Sequence, residues 1–366
     1  MMFDRRLLTH FDWVLLLTVC LLAGIGIANL YSATSGWNFI ATPIYLKQAV
    51  WLCGGVGMAL LICCFDYRHL EHFSIHGYFV SIGLLLAVLL LGKVSMGATR
   101  WINLGAFNLQ PSEVIKIVMI LLLARIFGRT AQPLGYSLAE LWQPALLLGL
   151  PMILILKQPD LGTALMLLFI AVSMLLFAGL RRATLIGLAT MGFGAAVTGW
   201  FFLHDYQKAR IRTFLNPETD PLGSGYHIIQ SKIAVGSGGF SGKGFLSGTQ
   251  SQLSFLPERH TDFAFSVFAE EWGFAGCGLL LLIYLFLIIW GIHISRRASD
   301  RFGMFLALGV TAMIFWHIVV NLGMVIGLLP VVGVPLPLFS YGGTSMVTTM
   351  IGVGLLMSVS MRRFKF

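Results

Sequence analysis

Asp262 stands in the run FLPERHTDFAF (residues 255–265), where Glu258 to Asp262 are all polar or ionisable and aromatics close both sides. A carboxylate so placed can act as a general base if it stays ionised and reaches a hydroxyl. Arg259 and His260 are close enough in sequence to keep it ionised, and Phe263 and Phe265 would limit water. The plainer alternative is a solvated salt-bridged collar above a helix, a role that suits Glu258 and Arg259. Glu113 and Lys116 form a second candidate pair, one helical turn apart after NLQPS. They could be an i,i+3 ion pair, with Ser112 as N-cap and Glu113 at the positive helix end. Lys116 lies a turn deeper, where an ammonium among apolar residues needs a cavity or a partner. Asp160 in KQPDLGTA follows Pro159 and reads first as an early helical turn, with chemistry as the alternative. Arg100, in GATRWINLG, could anchor an interface beside Trp101 or hold a phosphate.

The elements that must position these residues are apolar helices. Charged residues are 11% of the 366, hydrophobic ones 57%, and the mean hydropathy is +0.86. A soluble chain would carry about a quarter charged residues. The apolar residues come in blocks near the roughly 20 residues a helix needs to cross a bilayer. Ten spans are expected, at about 13–31, 46–65, 74–93, 113–127, 142–157, 161–180, 184–203, 273–293, 303–328 and 340–361. The fold class is therefore an all-α polytopic membrane protein, one membrane domain over residues 1–366. The first block is too long for the apolar region of a cleaved signal. Placing the N-terminus inside puts 13 of the 24 Lys and Arg residues on the cytoplasmic side, among them Arg5, Arg6, Arg362, Arg363 and Lys365. That bias calls for both termini in the cytoplasm.

The net charge of +9 follows from this topology and calls for no nucleic-acid partner. The five cysteines include no C-x-x-C pair, which argues against a zinc site or a disulfide framework. One connection, 204–272 between spans seven and eight, is far longer than an ordinary loop and so is functional or disordered. Its many aromatic and aliphatic residues favour a large, partly ordered extracytoplasmic loop. Arg210 and Arg212 stand at its entry and Lys243 in the glycine run GSGGFSGKG. That run is a flexible turn or a backbone cradle for an anion; it lacks the Walker A spacing. The run GLLPVVGVPLPLFSYGGTS (327–345) interrupts helix with three prolines, tolerated at membrane depth only where it is buried or lines a cavity. Ser340, within it, is a candidate substrate contact.

GATRWINLG, QPSE, KQPDLGTA, PLGSGYHIIQSKIAVGSGGFSGKG, GTQSQLSFLPERHTDFAFSVFAEEWG and the 327–345 run, in this order between ten spans, resemble the SEDS family (shape, elongation, division and sporulation). The resemblance covers nearly the whole chain and is nearer the elongation branch than the division branch. It implies a peptidoglycan glycosyltransferase that polymerises lipid II at the outer face of a bacterial cytoplasmic (inner) membrane. It also implies a partner, a class B penicillin-binding protein that cross-links the strand. The family's essential loop carboxylate matches Asp262; Ala264 is smaller than the residue usual there. In the implied reaction an acceptor 4-hydroxyl attacks the donor's anomeric carbon and expels undecaprenyl pyrophosphate, inverting α to β. Such a leaving group needs charge neutralisation more than protonation. Arg100, Lys116, Arg210, Arg212 and Lys243 are the candidate cations, with Glu113, Asp160 and Ser340 as further substrate contacts. No tightly bound cofactor is implied, though a divalent cation, Mg2+ or Mn2+, could bridge phosphate and carboxylate. Two other function classes stay open: a lipid II flippase, and a scaffold that recruits a penicillin-binding protein.

Overall fold

The computed structural model describes residues 10–35, 42–91, 93–95, 98–103, 105, 108–130, 132, 134–202, 205–219, 224–253 and 255–363. Arg5, Arg6 and Lys365, used above to orient the chain, lie outside them. The chain is nearly all helical. Its long helices are α1 (Trp13–Thr34), α2 (Ile44–Cys64), α3 (Tyr67–Leu91), α4 (Pro111–Arg129), α5 (Trp142–Lys157), α6 (Leu161–Ala178) and α7 (Arg182–Phe202). The loop that follows holds α8 (Asp205–Leu215) and α9 (Ser224–Ser237), and then come α10 (Ala264–Arg296), α11 (Arg301–Val325) and α12 (Gly343–Met361). Among the described residues nine helices are long and apolar enough to cross a membrane: α1 to α3, α5 to α7 and α10 to α12. The expected fourth span is present as α4, but it carries Glu113, Lys116, Arg125 and Arg129.

Burial is uneven and marks the centre of the bundle. In α11 and α12, 67% and 78% of the most apolar window is enclosed, against 6% for α7 at the margin. The charged helix α4 packs against α3 and α11 and buries Ile115, Ile120, Leu123 and Phe127. A charged helix is thus kept inside, while a plain apolar one faces outward. That is the arrangement expected where lipid, rather than water, is the surrounding solvent.

Two expectations need correction. The chain is not purely α: β1 (Lys93–Ser95), β2 (Ala98–Asn103) and β3 (Asn108–Leu109) form an antiparallel sheet in the order β1-β2-β3. Val94, Thr99, Trp101 and Ile102 are strand formers, and Gly105 takes the positive φ of +84° that suits the turn between β2 and β3. The eighth span also begins earlier than 273. Helix starts at Ala264, and the expected start marks an internal break, where Gly273 has φ +63° and ψ −163°.

The glycine run explains that break. Phe274 N and Ala275 N donate to Gly239 O and Phe240 O at 2.9 and 3.0 Å, while Lys243 N and Gly244 N donate to Glu270 O and Glu271 O at 3.0 Å each. The backbone groups freed by the broken helix are thereby satisfied by the loop. The approach is so close that a Cβ on Gly242 would lie 2.1 Å from Glu271 O. These glycines permit backbone contact with α10, and two of the amides an anion cradle would use are bonded to helix carbonyls.

Candidate active site

A cavity of about 170 Å³ lies where α4, α6, α11, the 327–345 run and the segment before α10 meet. Glu113, Lys116, Thr163, Asp262 and His317 line it, together with Trp101 of β2. The ammonium is at its centre chemically. Lys116 is 1% exposed, and its Nζ donates to Glu113 Oε1 at 2.7 Å. Nζ also lies 2.8 Å from His317 Nε2, and His317 Nδ1 lies 2.7 Å from Met313 O, one turn back on α11. A carbonyl only accepts, so Nδ1 carries the ring proton and Nε2 accepts from Lys116. A buried ammonium is costly, and it is held here by one carboxylate and one imidazole.

Asp262 reaches the same cavity from the end of the long loop, one residue before Phe263, the N-cap of α10. Its backbone is fixed from inside the bundle. Asn321 Nδ2, on α11, donates to Asp262 O at 2.9 Å and to Val334 O at 2.8 Å. A Cβ on Gly333 would stand 3.5 Å from Asp262 Oδ2. Tyr341 N donates to His260 O at 2.8 Å. The loop and the 327–345 run are therefore joined to each other and to α11. The run is held in place by Tyr284 Oη, which donates to Pro337 O at 2.7 Å, and by Gln48 Nε2, which donates to Ser340 O at 3.0 Å.

The neighbours of Asp262 divide differently from the sequence expectation. Burial lowers the His260 pKa, and Arg259 adds to that effect while Glu258 opposes it. His260 is thus neutral at neutral pH and does not supply the cation expected of it beside Asp262. Burial pushes the Tyr341 phenol up, so it stays protonated. Glu258, at φ +51°, accepts from Thr261 Oγ1 at 2.8 Å, and its carbonyl accepts from Thr261 N and Phe263 N. It shapes the turn that delivers Asp262, while Arg259 is buried at 2% exposure rather than standing in a solvated collar.

Among the described residues, the other candidates do not line the cavity. Asp160 is 3% exposed and caps α6, accepting from Thr163 N at 3.3 Å and Thr163 Oγ1 at 2.9 Å. Its reach into the site is indirect, through Thr163. Ser340 Oγ accepts from Leu336 N at 3.1 Å and so braces the run. Lys243 Nζ donates to Glu270 Oε1 at 2.7 Å, away from the cavity. Arg210 and Arg212 ride on α8, with Arg212 exposed. Arg100 belongs to β2, next to Trp101; its side chain lies outside the described residues. His317 and Asn321 escaped sequence reasoning, although two polar residues four apart in FWHIVVNLG, inside an apolar span, were a usable signal. Among the described residues no three His, Cys, Asp or Glu side chains are grouped to hold a metal.

Comparison with known proteins gives a consistent picture. A family model described as cell cycle protein, covering FtsW, RodA and SpoVE, matches residues 12–365. The chain is 44% identical over 339 residues to peptidoglycan glycosyltransferase MrdB of Escherichia coli K12, covering 91% of this chain and 90% of that one. It is 34% identical to peptidoglycan glycosyltransferase RodA of Treponema pallidum, covering 98% and 99%. The crystal structure of Thermus thermophilus rod shape determining protein RodA matches with a TM-score of 0.72 at 30% identity, covering 97% and 98%. A chain from a structure described as structural coordination of polymerization and crosslinking by a peptidoglycan synthase complex matches with 0.83 at 32% identity, covering 97% and 99%.

Proposed function

Because the chain belongs to the SEDS family of FtsW, RodA and SpoVE proteins, we propose that it is the peptidoglycan glycosyltransferase of cell-wall elongation, with lipid II as its substrate. One observation carries the mechanism: Asp262, from the long loop, shares a cavity with the buried Glu113–Lys116–His317 cluster. Asp262 takes the proton from the acceptor 4-hydroxyl as its oxygen bonds to the anomeric carbon of the donor. The bond from that carbon to the phosphate oxygen breaks, and undecaprenyl pyrophosphate leaves as an anion. Lys116 lies where it can neutralise that charge in a site sheltered from water, which is where a fixed cation counts most. Glu113 and His317 hold the ammonium. A divalent cation, Mg2+ or Mn2+, would have Asp262 to hold it and would supply further charge neutralisation for the leaving pyrophosphate.

Helix α4, as the fourth span, brings the nine to ten, with Glu113 and Lys116 buried at the cavity and Arg129 paired with Glu71 at its other end. Both termini are then cytoplasmic, and the 204–272 loop is outside. Ser247 is exposed in that loop. In intact spheroplasts Ser247→Cys reacts with an impermeant thiol reagent; reaction only after lysis overturns the orientation. The match to a chain of a peptidoglycan synthase complex supports a cross-linking partner, in this reading a class B penicillin-binding protein.

Purified protein given labelled lipid II, with and without that partner, tests the activity. Glycan polymer supports the enzyme, transbilayer movement alone a flippase, and neither a scaffold. Asp262→Asn keeps the side-chain shape and removes the base. It is expected to fold, insert and bind the partner, and to lose about a hundredfold to ten-thousandfold in polymerisation rate. Near wild-type polymer from this variant would end the proposed mechanism.

A further inference from the structure

Resting on that reading of Lys116, we infer that His317 is a positioning residue, which holds the Lys116 ammonium so that it presents an N–H to the donor's pyrophosphate. A lysine is a point charge on a flexible four-carbon stem, with three donors and no preferred fork. Two contacts fix Nζ here: 2.7 Å to Glu113 on its own helix, and 2.8 Å to His317 on α11. With Glu113 alone, Nζ would be drawn along α4 into a plain ion pair whose charge is already matched. His317 draws it toward a second helix and bears no charge itself, so it adds no second anion to compete with the incoming phosphate for the ammonium. Three properties suit His317 to this task. It is 5% exposed, it lines the cavity, and the Met313 carbonyl holds its ring in the tautomer that accepts. A side chain kept only for volume would need neither the accepting nitrogen nor the carbonyl that fixes its ring.

The test uses the full-length protein with its partner, and reads KM and kcat for lipid II separately. It also reads inhibition by added undecaprenyl pyrophosphate, and thermal unfolding. His317→Leu keeps bulk and loses the acceptor; His317→Gln places an amide oxygen near the reach of Nε2. The expected result is a fall of about ten- to a hundredfold in kcat/KM for His317→Leu, with product inhibition weakened in parallel. His317→Gln should recover to within about threefold of wild type. Lys116→Met should weaken both readouts, and adding His317→Leu to it should cost nothing more, because His317 acts through Lys116. An undiminished response to product in His317→Leu overturns the inference, as does a further loss on the Lys116→Met background. If Lys116→Met itself leaves substrate and product affinity unchanged, it is the reading of Lys116 that fails. Should His317→Leu not fold, His317→Met carries the same comparison with an unbranched apolar side chain.

Discussion

Two lysine–glutamate pairs sit near the end of the bundle that carries the long loop, each with an N–O separation of 2.7 Å, and they serve different purposes. In Glu270–Lys243 the carboxylate is fully buried and bonds Lys243, Thr249 and the amide of Gln250, while the lysine side chain remains 29% exposed. The carboxylate is the fixed point, and the loop is gathered onto it. In Glu113–Lys116 both partners are buried, at 7% and 2% side-chain exposure, and a cavity with a second carboxylate lies beside them. Bond length does not distinguish the pairs. What distinguishes them is whether the cation is buried along with its carboxylate and whether a cavity adjoins it.

The sharpest way to break this comparison is to neutralise one carboxylate from each region. Asp262→Asn should lose about a hundredfold to ten-thousandfold in polymerisation, while Glu270→Gln should keep wild-type turnover per folded molecule. A comparable collapse of turnover in folded Glu270→Gln would place the closed pair in the chemistry. Stability should then separate the pairs in the other direction. Glu113→Gln strands a buried ammonium and should cost about 3–5 kcal/mol, recovered in part when Lys116→Met is added. Glu270→Gln leaves Lys243 free to hydrate and should cost only about 1–3 kcal/mol. Equal losses, read from thermal unfolding in detergent, would erase the distinction.

A smaller effect tests the glycine run. Gly242 has φ +80° and faces Glu271 O, so Gly242→Ala should destabilise by about 1–3 kcal/mol from the backbone conformation alone. Its turnover per folded molecule should hold if the run is a fastener; a specific loss of lipid II affinity would revive the anion cradle. The smallest effect is a pH dependence. The folded pKa of His260 is lowered by burial, so below the ordinary value of about 6.5 the unfolded chain takes up a proton that the folded chain does not. Stability is therefore full above that value and falls as pH drops toward the folded pKa. His260→Asn should flatten the change in melting temperature between pH 7 and pH 5; an unaltered slope would assign the sensitivity elsewhere.

The long apolar runs announced their helices, and the proline-bearing run 327–345 announced a cavity wall, because both follow from what backbone polarity costs in lipid. Asp262 and Lys116 were each conspicuous as charges out of place. That they meet could not be read, since it depends on how helices distant in sequence pack. The burial of Glu270 and Glu271 could not be read from the sequence, since their partners Lys243 and Ser32 lie far away along the chain. The sheet at 93–109 was hidden by brevity: strands of two to six residues leave little alternation to detect. His317 was lost for the converse reason, as one polar letter inside a greasy word.

Helix α11 touches the chemistry at two places four residues apart. His317 holds the ammonium, and Asn321 holds the backbone that carries Asp262. Four residues of helix rise about 6 Å, a length set by covalent geometry and hydrogen bonds of one element. Any rigid shift of α11 would carry both groups as a common displacement and leave their separation unchanged to first order. A base delivered by a long loop usually inherits the loop's jitter. Here the loop backbone and the lysine are both tied to the same rod.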